Sequence, residues 1–374
     1  MSDSSDAGND VVEGTFGRLE IDDEWSISIR RDFAWWGHRL RQRIWSTSGY
    51  DDDGIVIHRV FVVSDLVRNI KSGQSDVDQL LGPMGALAIG SARVFDPTEK
   101  TIRLWTAVTV HAEIVEWMIS LFSSLAIIQA IEAANRAEIT AEVVGGDIDL
   151  SAHPSSGERS EADEMMHIVD NAFIPAGQRP SPWSGSEELD QIRESLNKLN
   201  CFSTGNRTGL TAEFPIGSTT SMMQVITGEK NPVIGSGVGI LLQLPLWGSA
   251  ERAAMMAGVL NRAEANRHTP GHLIGSWCSK TIGERSNPTF ASFIPAALYQ
   301  PGLLTNLVFS AAVRAQWVGR TLNPDADPEH VMDILFSRFQ DWRRPTERHR
   351  RIRPGRRTFD SKLAPSNGAV SCDS

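Results

Sequence analysis

The order of patterned segments constrains this chain most: strand, strand, helix, strand, strand, helix runs from Trp25 to Ala137 and again from Thr219 to Leu322. Runs that alternate apolar and polar residues fit half-buried strands, and apolar residues three and four apart fit helices. Repeating that order predicts an α+β fold in which antiparallel strands pack against helices in two units. With 374 residues, each half has enough chain for its own core.

In the first half, Trp25 to Ile29 alternates, and Arg39–Trp45 and Ile55–Val63 read as strands around the turn-forming run Gly49 to Gly54. Asp65–Leu81 reads as a helix closed by Gly82-Pro83. Strands are expected over Ala86–Phe95 and Thr101–Val110, and a long helix from Ile114. In the second half, Ser221–Thr227 and Val238–Trp247 read as strands. A helix over Ala250–Asn266 follows, with Ser249 as N-cap. Leu273–Ser279 and Thr289–Leu298 form the next pair, and Leu303–Leu322 the closing helix. The apolar run Ile114 to Ile131 approaches the length of a membrane span. Its polar stripe of Glu116, Ser120 and Ser123 marks it instead as a core helix, so no membrane span is expected.

Composition sets the boundaries. Residues 1–12, rich in Ser, Asp and Gly, read as a disordered acidic arm before a first unit over 13–144. Residues 145–183 carry Pro154, Pro175, Pro180 and Pro182 and read as a linker with a short helix over Glu161–Phe173. Here Phe173-Ile174-Pro175 and Ser181-Pro182-Trp183 are segments able to dock on a domain. Ser184 with Glu187 forms a capping box that opens a helix over Ser186–Asn200 and a second unit over 184–342, which ends in a short helix Pro328–Trp342. Residues 343–374 carry the arginine run Arg343 to Arg357 and read as a basic disordered tail.

The formal net charge of −10 and a pI near 5.4 argue against nucleic acid as a partner, except through that tail. Cys201, Cys278 and Cys372 are odd in number and far apart, so a reducing compartment is expected. The opening MSDSSDAGND lacks the cationic start and apolar run of a signal peptide, and the expected location is the cytoplasm.

No catalytic motif stands up. His111-Ala112-Glu113 has the H-x-E form of zinc deaminases but no P-C-x-x-C follows. His268, His272 and Cys278 suggest part of a metal set, yet Pro270 and Gly271 keep the histidines off one helix face and no fourth ligand is near. Gly235 to Gly239 leads into a strand rather than a helix and lacks a phosphate-loop Lys. Asp51 to Gly54 lacks the spacing and closing Glu of a calcium loop. With no G-x-S-x-G elbow, the expectation is a non-enzyme with no catalytic residue, metal or cofactor. What the composition offers is tryptophan, 11 against 2 Tyr. Trp117 and Trp317 are expected in the core. Adjacent Trp35 and Trp36 face opposite ways on an extended segment, so one is expected to face outward; with Trp247 and Trp277 they are the candidate partner contacts.

The second half resembles the YbjN and type III secretion chaperone-like superfamily. The residues that carry the likeness are Ile240 to Trp247 running into Ala250–Asn266 with its Leu260-Asn261, then Gly275-Ser276-Trp277 and Phe290 to Pro295. It spans roughly Ser184 to Leu322, and the first half more weakly. The resemblance implies a tandem repeat of two chaperone-like domains. It also implies a protein-binding adaptor or secretion-type chaperone that holds a partner polypeptide, such as a secreted effector or a regulatory protein, the tandem copy standing for an acidic dimer. The alternative is a small-molecule-binding protein or enzyme with a pocket between the two domains, near His268, His272, Trp277 and Cys278.

Overall fold

The computed structural model describes residues 6–29, 32–50, 56–87, 89–167, 186–198, 201–206, 208–216, 219–231, 234–266 and 271–321. The basic tail, the helix expected over Pro328–Trp342, Cys372, His268, Trp183 and the two proposed docking segments near it lie outside these residues. Helix α1 (Ala7–Arg18) precedes β1 (Ser26–Ile29), β2 (Asp32–Trp36), β3 (Arg41–Tyr50) and β4 (Val56–Arg68). Then come α2 (Gln74–Met84), β5 (Ala92–Asp96), β6 (Thr101–Val110), α3 (Val115–Val144) and the short β7 (Asp147–Ile148). After α4 (Ser186–Lys198), β8 (Ser203–Asn206), β9 (Gly209–Ile216), β10 (Thr219–Asn231) and β11 (Gly235–Gln243) follow in turn. The chain goes on through α5 (Ala250–Ala265), β12 (Ser276–Ile282), β13 (Arg285–Pro295) and α6 (Leu303–Thr321).

The fold is α+β with two antiparallel sheets. The first runs β1-β2-β3-β4-β6-β5, with β7 added on β4; the second, read from β8, runs β8-β9-β10-β11-β13-β12. The two orders are the same: four strands meander, a helix intervenes, and a hairpin returns with its second strand against the fourth. The flanking helices follow suit. Helix α1 packs on α3, and α4 packs on α6, where Glu188 accepts from the Thr305 N–H at 3.0 Å and from the Tyr299 hydroxyl at 3.1 Å. That carboxylate sits where the first-turn amides of α6 lack partners, as helix geometry favours.

Local sequence accounts for most of these elements. Strand β4 is buried on both faces from Val60 to Val67, hence its nearly unbroken apolar run. Helix α3 is long and apolar enough to cross a membrane, but 61% of its most apolar window is buried inside the fold. Its interior Gln129 bonds Ser64, Thr106 and the Val62 carbonyl and thereby fixes the helix against the sheet. Ser249 caps α5 by accepting from the Arg252 N–H, as expected.

Several expectations need correction. Residues 6–12 are not a disordered arm. Asp6 caps α1, and Ala7, Val11 and Val12 are buried, the helix packing against α3, β3 and β4. The helix expected from Asp65 begins only at Gln74, because Asp65 is held in β4 by Arg41 and Arg103 from the flanking strands. Gly82-Pro83 lies inside the last turn of α2 rather than beyond it. The described part of the expected linker, 145–167, is docked: β7 pairs with β4, and Arg159 donates to the Trp36 carbonyl and Asp163. Glu164–His167 forms a single short 3-10 turn, and the rest of the helix expected to Phe173 lies outside the described residues. Strands β2, β8 and β9 have no counterpart among the expected elements. Trp117 and Trp317, expected in the core, are half-buried at its margin.

Helix α1 supplies a direct test. Val11→Ala is expected to cost about 2–3 kcal/mol in urea unfolding, since the side chain is fully buried. A loss near zero would return this segment to a disordered arm.

Candidate functional site

The two sheets meet through α2 and α5, and small residues let these helices approach closely. A side chain on Gly82 of α2 would lie 2.8 Å from the Cα of Ala254 on α5, and one on Gly258 would overlap the Asp78 carboxylate. One turn before Gly82, Asp78 takes both guanidinium nitrogens of Arg262 at 2.6 and 2.7 Å. The pair is almost fully buried. Burial pushes the Asp78 carboxyl above its ordinary value, and Arg262 pulls it back. The docking is reciprocal: α2 also touches β12, and α5 also touches β5. A second seam joins the edge of β6 to the segment before β12, where Ala107 and Leu273 exchange backbone hydrogen bonds at 3.1 and 2.7 Å.

The candidate partner contacts fall into two groups. Trp35 is fully buried and donates from Nε1 to Gln42 at 2.8 Å. Trp36 is buried as well, donating to Ser151 Oγ at 3.1 Å with the His153 ring edge-on to it at 4.9 Å. The outward face expected for one of this pair is covered by the docked 149–163 segment. Trp277 is buried under α5 and donates to Glu264 at 2.6 Å; Glu264 is itself clamped by Arg314 of α6 at 2.6 and 2.8 Å. Trp247 is different, at 42% exposed. It precedes Gly248, which pairs with Ser286, and so stands beside the β12–β13 hairpin and its exposed Ile282.

The residues suspected of a pocket chemistry are used for structure. His272 Nδ1 accepts from the Thr109 N–H at 3.1 Å, so the seam needs the neutral ring. Burial, with Arg314, Arg59 and His111 adding repulsion, lowers its pKa to about 4. Cys278 donates to the Thr289 carbonyl, and burial pushes its thiol up to about 12, which leaves it a poor nucleophile. Among the described residues no group of three His, Cys, Asp or Glu side chains is placed to hold a metal ion.

Sequence reading missed the Asp78–Arg262 pair, because 184 residues separate its members. A residue-level trace of the repeated order was available in Ile89-Gly90-Ser91 and Ile274-Gly275-Ser276, the same tripeptide leading into β5 and into β12. In comparisons with known proteins, no protein-family model, no curated protein and no solved structure matches this chain.

Two measurements check this description. Trp277→Ala should cost about 3–5 kcal/mol, whereas Trp247→Ala should stay within about 1 kcal/mol. Similar losses at both would contradict their different placement. His272 has its folded pKa below its unfolded value, so the unfolded chain binds the extra proton. Its contribution is complete above pH 6.5 and is lost as pH falls toward about 4. The loss should be at most about 3 kcal/mol and should shrink in His272→Gln; an unchanged slope would place the titration elsewhere.

Proposed function

We propose that the chain is a non-enzymatic, cytoplasmic protein-binding adaptor or secretion-type chaperone that holds a partner polypeptide, built from two chaperone-like domains in tandem. The observation that carries this reading is the shared strand order of the two sheets, with helices at matching places in each. Reciprocal docking of α2 on β12 and of α5 on β5 supports it, since two copies of one unit related by a two-fold axis contact each other in that way. The tandem then stands as a single-chain counterpart of an acidic chaperone dimer. The free thiol of Cys278 fits a reducing compartment. Of the four tryptophans first considered, Trp247 remains the partner contact, because it alone of them offers substantial surface.

A pocket between the halves is the competing reading, and the described junction leaves it little space: helix α2 meets α5 at glycine and alanine, and His272 and Cys278 are engaged in the backbone ladder. Affinity capture from native lysate, followed by hydrogen exchange on the recovered complex, separates the two. The chaperone reading expects a polypeptide in fixed ratio that protects amides on the sheets and around Trp247. Recovery of a small metabolite in fixed ratio without any polypeptide would contradict it.

A further inference from the structure

The crossing of α2 and α5 is two-fold in position and unlike in residue. Gly82 and Gly258 are each the ninth residue of their helix, and Asp78 and Ala254 each the fifth. Gly82 faces Ala254 and Gly258 faces Asp78, so ninth position meets fifth in both directions. A second exchange lies beside the first. Gln79, sixth in α2, donates to Glu251, second in α5, at 3.0 Å, while Ser75, second in α2, meets Met255, sixth in α5, at 3.5 Å. Contacts that swap in this way are those of an interface about a two-fold axis.

The charges break that equivalence. Arg262, thirteenth in α5, holds both oxygens of Asp78, whereas the place thirteenth from the start of α2 is Ala86. The pair related to Asp78 and Arg262 is therefore Ala254 and Ala86, which carries no charge. If α2 crossed the α2 of a second copy in this geometry, each Asp78 would meet Ala86 and lie buried without a cation. Crossing α5 with α5 would bury each Arg262 against Ala254 without an acid. A buried charge left alone is strongly destabilising, so the penalty falls on wrong pairings and selects the right one. A first half with a second half matches both charges.

We propose that this junction is an interface selective for unlike halves, and that a second copy of the chain can supply the matching half, giving an exchanged dimer with two native junctions. Such a dimer uses the junction already formed and needs no further free surface. Residues 168–185 connect His167 to Ser186 and reach about 60 Å when extended, so the halves can part and pair again across copies. This selectivity is independent of the polypeptide-holding function.

The test co-refolds full-length chains from urea at high protein concentration, with Asp78→Arg on a copy carrying one affinity tag and Arg262→Asp on a copy carrying another, and reads dimers by native mass spectrometry. Each variant alone sets like charges together in its own junction. In the mixture, the arginine placed at position 78 faces the aspartate placed at position 262 of the other copy, and Asp78 faces Arg262 at the second junction. Dimers carrying both tags should exceed either homodimer at least about tenfold, and the double variant, matched within one chain, should be monomeric. A second pair leaves the buried charges untouched: Gln79→Cys on one copy and Glu251→Cys on the other, co-refolded and treated with a short bis-maleimide, should give a link between copies mapped to those two positions. Homodimers as abundant as the mixed dimer, or no mixed dimer, would overturn the proposal. If circular dichroism shows that the charge variants do not fold even together, the cysteine pair decides, and the absence of a link between copies overturns it.

Discussion

The ion pair between Asp78 and Arg262 is the contact on which the relation between the two sheets depends. It sits where α2 crosses α5, flanked by Gly82, Ala254 and Gly258, and both of its hydrogen bonds are short and buried. A buried ion pair adds little net stability compared with an apolar pair of the same volume, but it makes other alignments expensive, since any slip leaves a charge without its partner. The close approach and the charge pairing therefore act together: small residues bring the backbones near, and the carboxylate selects one register along the helices. The Ala107–Leu273 seam, with His272 accepting from Thr109, adds a second point of attachment and opposes rotation about the first.

One buried cluster takes in residues of both halves, from Ala7 on α1 to Val318 on α6, and a second, with Val77 and Leu81 of α2, lies within the first half. Several of the buried polar groups are committed to each other: Glu132 to Ser91 and Arg93, Glu264 to Trp277 and Arg314, and Gln129 to Gln42, Ser64, Thr106 and the Val62 carbonyl. Trp247, beside the β12–β13 hairpin, is left exposed.

Elements with long periodic runs were legible in the sequence. Thr101–Val110 appears as a strand with the same bounds, and the helices near Ile114, Ala250 and Leu303 begin within a residue of their expected starts. Strand β8 was not, because Ser203–Asn206 is polar and glycine-containing and owes its form to the ladder beside it; β9 does alternate, with Leu210, Ala212 and Phe214 inward, and that signal went unread, as did the short aromatic β2. Helix α1 is polar in composition, and only the spacing of Ala7, Val11 and Val12 betrays its buried stripe. Of the four tryptophans named as candidate contacts, Trp247 is the exposed one, and nothing in its local sequence set it apart from the others. The burial of Trp35, Trp36 and Trp277 was not legible, since it comes from the docked 149–163 segment and from α3, α5 and α6, all distant in sequence or set by tertiary packing.

The central claim is that the crossing of α2 and α5 makes one cooperative structure of the two sheets. Native-state hydrogen exchange measures this most directly, through the most protected amides of β4 in the first sheet and β11 in the second. If the claim holds, both sets open with the same limiting free energy, and Asp78→Ala, which leaves Arg262 buried without a partner, lowers both together by about 3–5 kcal/mol. Limiting values that differ between β4 and β11 by more than about 2 kcal/mol, or a loss in Asp78→Ala confined to one sheet, would contradict it.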